Sequence, residues 1–213
     1  MKFSFVSVVI AIAVSTTLDR PTETDFNDAV AQMLKELSGL QLVHRIKYVK
    51  CELDTVMGSR SSSRIAAGVV LSEIKYGIDR HLIMAVIMNE SNGNPMAYSQ
   101  EQAVGIMQIR RPIWEKVLGG NHDWYDPVWN IQMGSYILYG LFNTYNSWYQ
   151  SLSHYSRGSP SVKSSYSERV LQTWNRYSST NLCNLYQDKD PNKPIWNESQ
   201  VVQGRVRRGQ PEH

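Results

Sequence analysis

The sequence predicts a mostly α-helical fold, a helical bundle with one minor β element, and three observations predict it. Apolar residues recur at three- and four-residue spacing along most of the central chain. That pattern is punctuated by helix stops at Gly39, Gly58, Gly77 and Gly158, and by capping residues at Ser62 or Ser63, Asp79 and Asp126. A single short apolar run, Ala103-Val104-Gly105-Ile106-Met107-Gln108-Ile109, lacks helical spacing and reads as a strand or buried loop.

The elements follow in order. Thr24 and Asp25 cap a helix to about Leu37, with Phe26, Val30, Met33, Leu34 and Leu37 on one side, and Gly39 breaks it. A second helix, about Leu40 to Met57, places Val43, Ile46, Val49, Leu53 and Val56 together. The next runs from about Arg64 to Tyr76 and stops at Gly77, a residue suited to the left-handed position after a helix. Asp79 opens the apolar helix Leu82-Ile83-Met84-Ala85-Val86-Ile87-Met88-Asn89-Glu90-Ser91, which gives way to a turn-rich loop from Asn92 to Ser99. Pro112 suits the first turn of a short helix to Leu118, and Asp126-Pro127 opens a longer one to about Phe142. Two more helices, about Trp148 to Ser156 and Ser164 to Tyr177, complete the set, the last with Val170, Leu171 and Trp174 inward.

Four regions result: 1–20 as a leader, 21–60 as a helical extension, 61–180 as the main domain, and 181–213 as a polar tail. In the leader, Met1-Lys2 precedes a nearly unbroken apolar run from Phe3 to Val14 and small residues around Ser15, the layout of a secretory signal. The alternatives are an uncleaved membrane anchor and a buried N-terminal strand. With 42% hydrophobic and 19% charged residues in 213, the chain has ample material for one core. Its net charge of +3 favours an anionic polymer weakly and falls far short of a nucleic-acid footprint, so no nucleic acid is expected as partner. Cys51 and Cys183 are the only cysteines, and either a disulfide or two buried thiols fits them. The five histidines show no ligand spacing, so neither a metal nor another cofactor is expected.

Glu90 is the residue placed for chemistry. A carboxyl at the inner end of an apolar helix is partly desolvated, which raises its pKa and keeps it protonated near neutrality, as a general acid requires.

From about Ser63 to Tyr177 the chain resembles the lytic transglycosylase domain of the soluble lytic transglycosylase type, in the lysozyme-like superfamily. Four blocks carry the likeness: Glu90-Ser91-Asn92-Gly93-Asn94-Pro95-Met96-Ala97; Ser99 followed by Gly105-Ile106-Met107-Gln108; Asp126-Pro127-Val128-Trp129-Asn130-Ile131-Gln132-Met133-Gly134-Ser135-Tyr136; and His154-Tyr155-Ser156-Arg157-Gly158. The last departs from the family's Ala-Tyr-Asn, with Ser156 in place of Asn, and Gln102 stands where a Gly is expected.

The resemblance implies a lysozyme-like α+β fold around a sugar-binding cleft. It also implies cleavage of the β-1,4 bond between N-acetylmuramic acid and N-acetylglucosamine in peptidoglycan, leaving a 1,6-anhydromuramyl end. Most glycosidases use two carboxylates; this family uses one, acid first and base second, and the match assigns both steps to Glu90. Ser99, Gln108 and Ser156 are expected to offer polar contacts to the acid or the saccharide, Tyr155 to orient the Glu90 carboxyl, Gly105 to admit a sugar close to the backbone, and Met107 to pack under it. Glu101 and Asp123 are the candidates for a second carboxylate, which would indicate a lysozyme-type hydrolase, while Asp126 reads as a helix cap. A non-catalytic wall-binding component is the reading from another class. The small size and the absence of wall-binding repeats fit a specialised user, such as a secretion or conjugation apparatus or a bacteriophage particle, working in the periplasm, the cell envelope or a virion.

Overall fold

A computed structural model of the chain describes residues 39–119 and 121–183. The leader, the helix expected before Leu37 and the tail beyond residue 183 lie outside the described residues. Within them stand seven α-helices: α1 Gly39–Met57, α2 Ser63–Tyr76, α3 Arg80–Ser91, α4 Arg111–Leu118, α5 Pro127–Tyr145, α6 Trp148–Arg157 and α7 Ser165–Ser179. A 3-10 turn, Gly58–Arg60, follows α1. The β element is a two-stranded antiparallel hairpin of β1 Ala103–Val104 and β2 Ile109–Arg110, with Ala103 opposite Arg110 and Val104 opposite Ile109. None of the described helices is long and apolar enough to cross a membrane.

Local chemistry fixes the helix ends. The side chains of Ser62, Asp79, Asp126, Ser147 and Ser164 each accept a hydrogen bond from a backbone N–H of the helix they open, satisfying donors that have no partner within the helix. Gly77 and Gly158 close α2 and α6 with φ of 65° and 77°. In α1 the inward stripe is Leu42, Val49, Leu53 and Met57, with Ile46 and Val56 at its margin. Val43, expected on that face, is 47% exposed because it stands one position off the stripe that meets the core.

α2 packs on α1 and α5, α3 on α7, and α6 on both α5 and α7. Their shared core centres on the apolar run of α3, where Leu82 to Ile87 have no exposure. A second, smaller core of Val104, Ile109, Trp124 and Met133 lies under the hairpin.

Two features tie α1 to the rest. Cys51 and Cys183 form a disulfide across 132 residues, and Thr55 Oγ1 donates to the carbonyl of Leu182 at 2.6 Å. The buried Glu52 carboxylate accepts from Arg80 Nε at 2.9 Å and pairs with His81 Nε2 at 3.1 Å, both in the first turn of α3. Burial works against the charge on Glu52, but His81 and Arg80 outweigh it and hold the carboxyl below its usual range. Burial likewise opposes a charge on His81, yet Asp79 and Glu52 push its pKa up to about 9, so it is protonated at neutral pH.

Candidate active site

Glu90 occupies the last turn of α3, where the buried run ends. Tyr166, in the first turn of α7, is itself buried and donates its phenol to Glu90 Oε1. Desolvation pushes the Glu90 pKa up to about 7, against the hydrogen bond from Tyr166 and the charge of Arg169, which pull it down. The result is a carboxyl that exists in both protonation states near neutrality, as a group that first gives and later takes a proton needs.

Beside Glu90 lies the hairpin loop, held by side chains from three helices and by its own amide. Asn130 on α5, with no exposure, accepts from the Met107 N–H at 2.8 Å and donates to the carbonyls of Val104 at 3.0 Å and Trp124 at 2.9 Å. Ser91, the residue after Glu90, donates to Ile106 O at 2.7 Å, and Tyr155 on α6 donates to Met107 O at 2.8 Å. Gln108 closes the loop through its own amide, which donates to Gly105 O at 2.9 Å. Gly105 has φ 78°, and a Cβ there would sit 2.2 Å from Asn130 Nδ2, so only glycine fits against the Asn130 latch.

Several of the expected contacts fall differently. The phenol on Glu90 belongs to Tyr166. Burial raises the Tyr155 pKa and the nearby Glu90 charge adds to it, but the phenol's hydrogen bond goes to the hairpin. Met107 has no exposure and packs against Gly134, so it supports the loop from within. Gly105 is required by packing on Asn130 and Trp124. The Ser99 hydroxyl accepts from the Ala103 N–H at 3.0 Å, shaping the turn into β1. Ser156 is exposed, and its hydroxyl bonds back to Ser153 O at 3.2 Å within α6.

The rival carboxylates are engaged elsewhere. Glu101 is exposed and paired with Arg110 at 2.6 Å, Asp123 accepts from the Tyr125 N–H at 3.1 Å, and Asp126 caps α5 and pairs with Arg64 at 2.5 Å. Among the described residues no three His, Cys, Asp or Glu side chains are grouped to hold a metal ion. Sequence reasoning missed Tyr166. Its signal was its place four residues before Val170 and eight before Trp174, on the inward stripe of α7, with a polar tip at the first turn.

Comparison with known proteins agrees with this arrangement. Residues 71–173 match the transglycosylase SLT domain. The chain carries a transglycosylase SLT domain. Glu90, Tyr155, Tyr166 and the whole hairpin lie inside the matched stretch, whereas α1 and both cysteines lie outside it. The chain is similar to membrane-bound lytic murein transglycosylase C of Edwardsiella ictaluri, at 30% identity over 125 residues, 54% of this chain and 33% of that protein. The same protein from Salmonella typhimurium is 29% identical over 130 residues, 53% of this chain and 36% of its own length. Membrane-bound lytic murein transglycosylase E of Buchnera aphidicola is 39% identical over 75 residues, 30% of this chain and 34% of that protein. The chain thus spans about a third of the length of these curated relatives. The SLT assignment agrees with the mostly α, lysozyme-like architecture, with its single small hairpin.

Proposed function

We propose that this chain is a peptidoglycan lytic transglycosylase in which Glu90 performs both proton transfers. The observation that carries the reading is a half-buried carboxyl, poised near neutrality by burial and held by a buried phenol, while Glu101, Asp123 and Asp126 are tied up in other contacts. Protonated Glu90 donates to the oxygen linking N-acetylmuramic acid to N-acetylglucosamine as the bond to C1 breaks, and the substrate's acetamido carbonyl stabilises the cationic C1. Glu90, now a carboxylate, removes the proton from the C6 hydroxyl while its oxygen attacks C1, and a 1,6-anhydromuramyl end results. The phenol of Tyr166 orients the carboxylate through both steps.

The substrate follows from the relatives' names, which specify murein, and their membrane-bound description supports an envelope location for this chain. Local opening of the wall for a secretion, conjugation or virion complex is the biological setting proposed for that activity.

The test is mass spectrometry of the soluble products that the full chain and its Glu90→Gln variant release from purified peptidoglycan. Anhydromuropeptides from the wild type alone are expected. Reducing-end products would instead make the protein a hydrolase, and release by the variant would remove Glu90 from the mechanism.

A further inference from the structure

We infer that Met57 and Arg60, in the segment that precedes the stretch shared with the SLT family, are positioning residues for Glu90. This inference rests on the reading of Glu90 as the acid. Directly after Glu90 and Ser91 the chain reverses through two successive left-handed residues, Asn92 at φ 52° and Gly93 at φ 78°. Asn92 is the C-cap of α3, its N–H donating to Met88 O at 3.2 Å. The turn has no side chain of its own at Gly93 with which to pack. Met57, the last residue of α1 and 3% exposed, fills that place: a Cβ on Gly93 would lie 2.1 Å from Met57 Cε. Three residues on, Arg60 Nη2 donates to the Asn92 side-chain carbonyl at 3.2 Å. Both residues of the turn are thus held by the end of α1 and the 3-10 turn that follows it.

The same helix grips α3 at its other end, where Glu52 receives Arg80 and His81. α1 therefore braces α3 at both termini, and the core residues Val49 and Leu53 with the Cys51–Cys183 disulfide fix the brace to the domain. A shift at the turn is passed on through Ser91, whose hydroxyl holds Ile106 of the hairpin. A brace of this kind sets how much water reaches the back of Glu90 and where its carboxyl points.

The experiment compares the full chain with Met57→Ala, Met57→Leu and Arg60→Gln variants by two measurements: carbon-13 NMR titration of the Glu90 carboxyl, and kcat and KM on peptidoglycan, each below the melting temperature of the variant. Met57→Ala is expected to lower the Glu90 pKa from about 7 as water enters behind the turn, and to reduce kcat about tenfold with little change in KM, the scale of a small misplacement of a catalytic group. Met57→Leu restores both, and Arg60→Gln moves both in the same direction by less. Wild-type titration and kcat in folded Met57→Ala overturn the inference. Should that variant fail to fold, wild-type values in Arg60→Gln, which alters an exposed side chain, overturn it. An inactive wild type would refute the transglycosylase reading, while the titration still decides whether Met57 and Arg60 hold Glu90.

Discussion

Replacing Tyr166 by Phe removes one hydroxyl and keeps the ring that fills the space between α7 and α3. The hydroxyl donates to Glu90, a bond that is stronger to a carboxylate than to a carboxylic acid, so it holds the pKa of Glu90 below the value that burial alone would impose. A hydrogen bond to a charged group contributes roughly 1.5–3 kcal/mol. A pKa unit corresponds to about 1.36 kcal/mol of difference between the two protonation states, and the neutral acid keeps roughly 0.5–1.5 kcal/mol of the bond, so its loss raises the Glu90 pKa by about 1 unit. The sign is decisive. Removing the donor disfavours the anion, so the protonated acid persists to higher pH, and the descending limb of kcat/KM moves alkaline from near 7. The assay is the clearing of a peptidoglycan suspension from acid to alkaline pH, with kcat/KM fitted at each point, since that parameter reports the ionisations of the unliganded enzyme. A limb that stays in place, or that moves towards acid, would refute the assignment of Tyr166 as the partner of the Glu90 anion.

Two further outcomes test the surroundings. Because the pKa of Glu90 lies above its ordinary 4.5 in the folded chain, the native state holds the proton that the unfolded chain releases between there and about 7. Stability therefore falls as pH rises through that window, and Glu90→Gln is expected to melt higher than wild type at pH 8 and close to it near pH 4; equal melting at both would contradict the desolvation. Replacing Cys51 and Cys183 together by Ser frees a loop of 132 residues, for which the chain-entropy account gives about 5 kcal/mol. A urea midpoint unchanged from that of the oxidised wild type would show that the brace stands without its covalent tie.

The helix boundaries were legible because their causes are local. Ser62, Asp79 and Asp126 bond to backbone groups two or three residues away, and Gly77 and Gly158 need only a left-handed φ. Glu90 was legible for a similar reason: a carboxyl at the end of an unbroken apolar run is half-buried whatever packs on it. Which phenol would reach it was not. Tyr155 and Tyr166 both sit on inward helix faces, and only the packing of α7 on α3 and of α6 on α7 decides that one meets Glu90 and the other the hairpin. The two cysteines left pairing open for the same reason, since bringing residues 51 and 183 together depends on α1 lying against the chain that follows α7. Val43 was misplaced by one position because a stripe that includes Leu42 fits the spacing as well.

The hairpin shows why residues suited to binding a sugar need not do so directly. A tight loop exposes carbonyls of which it can satisfy few itself, and unsatisfied carbonyls beside an acid of raised pKa would draw in water and lower it. Here each carbonyl from Val104 to Met107 accepts a side-chain donor, from Asn130, Gln108, Ser91 and Tyr155 in turn. All four donors, one from each, belong to the four blocks that carry the family likeness. Their donor groups are engaged by the loop. Gln108 and Tyr155 therefore fix the shape of the surface next to Glu90, and in the proposed reaction the chemistry is left to one carboxyl whose proton affinity that surface maintains.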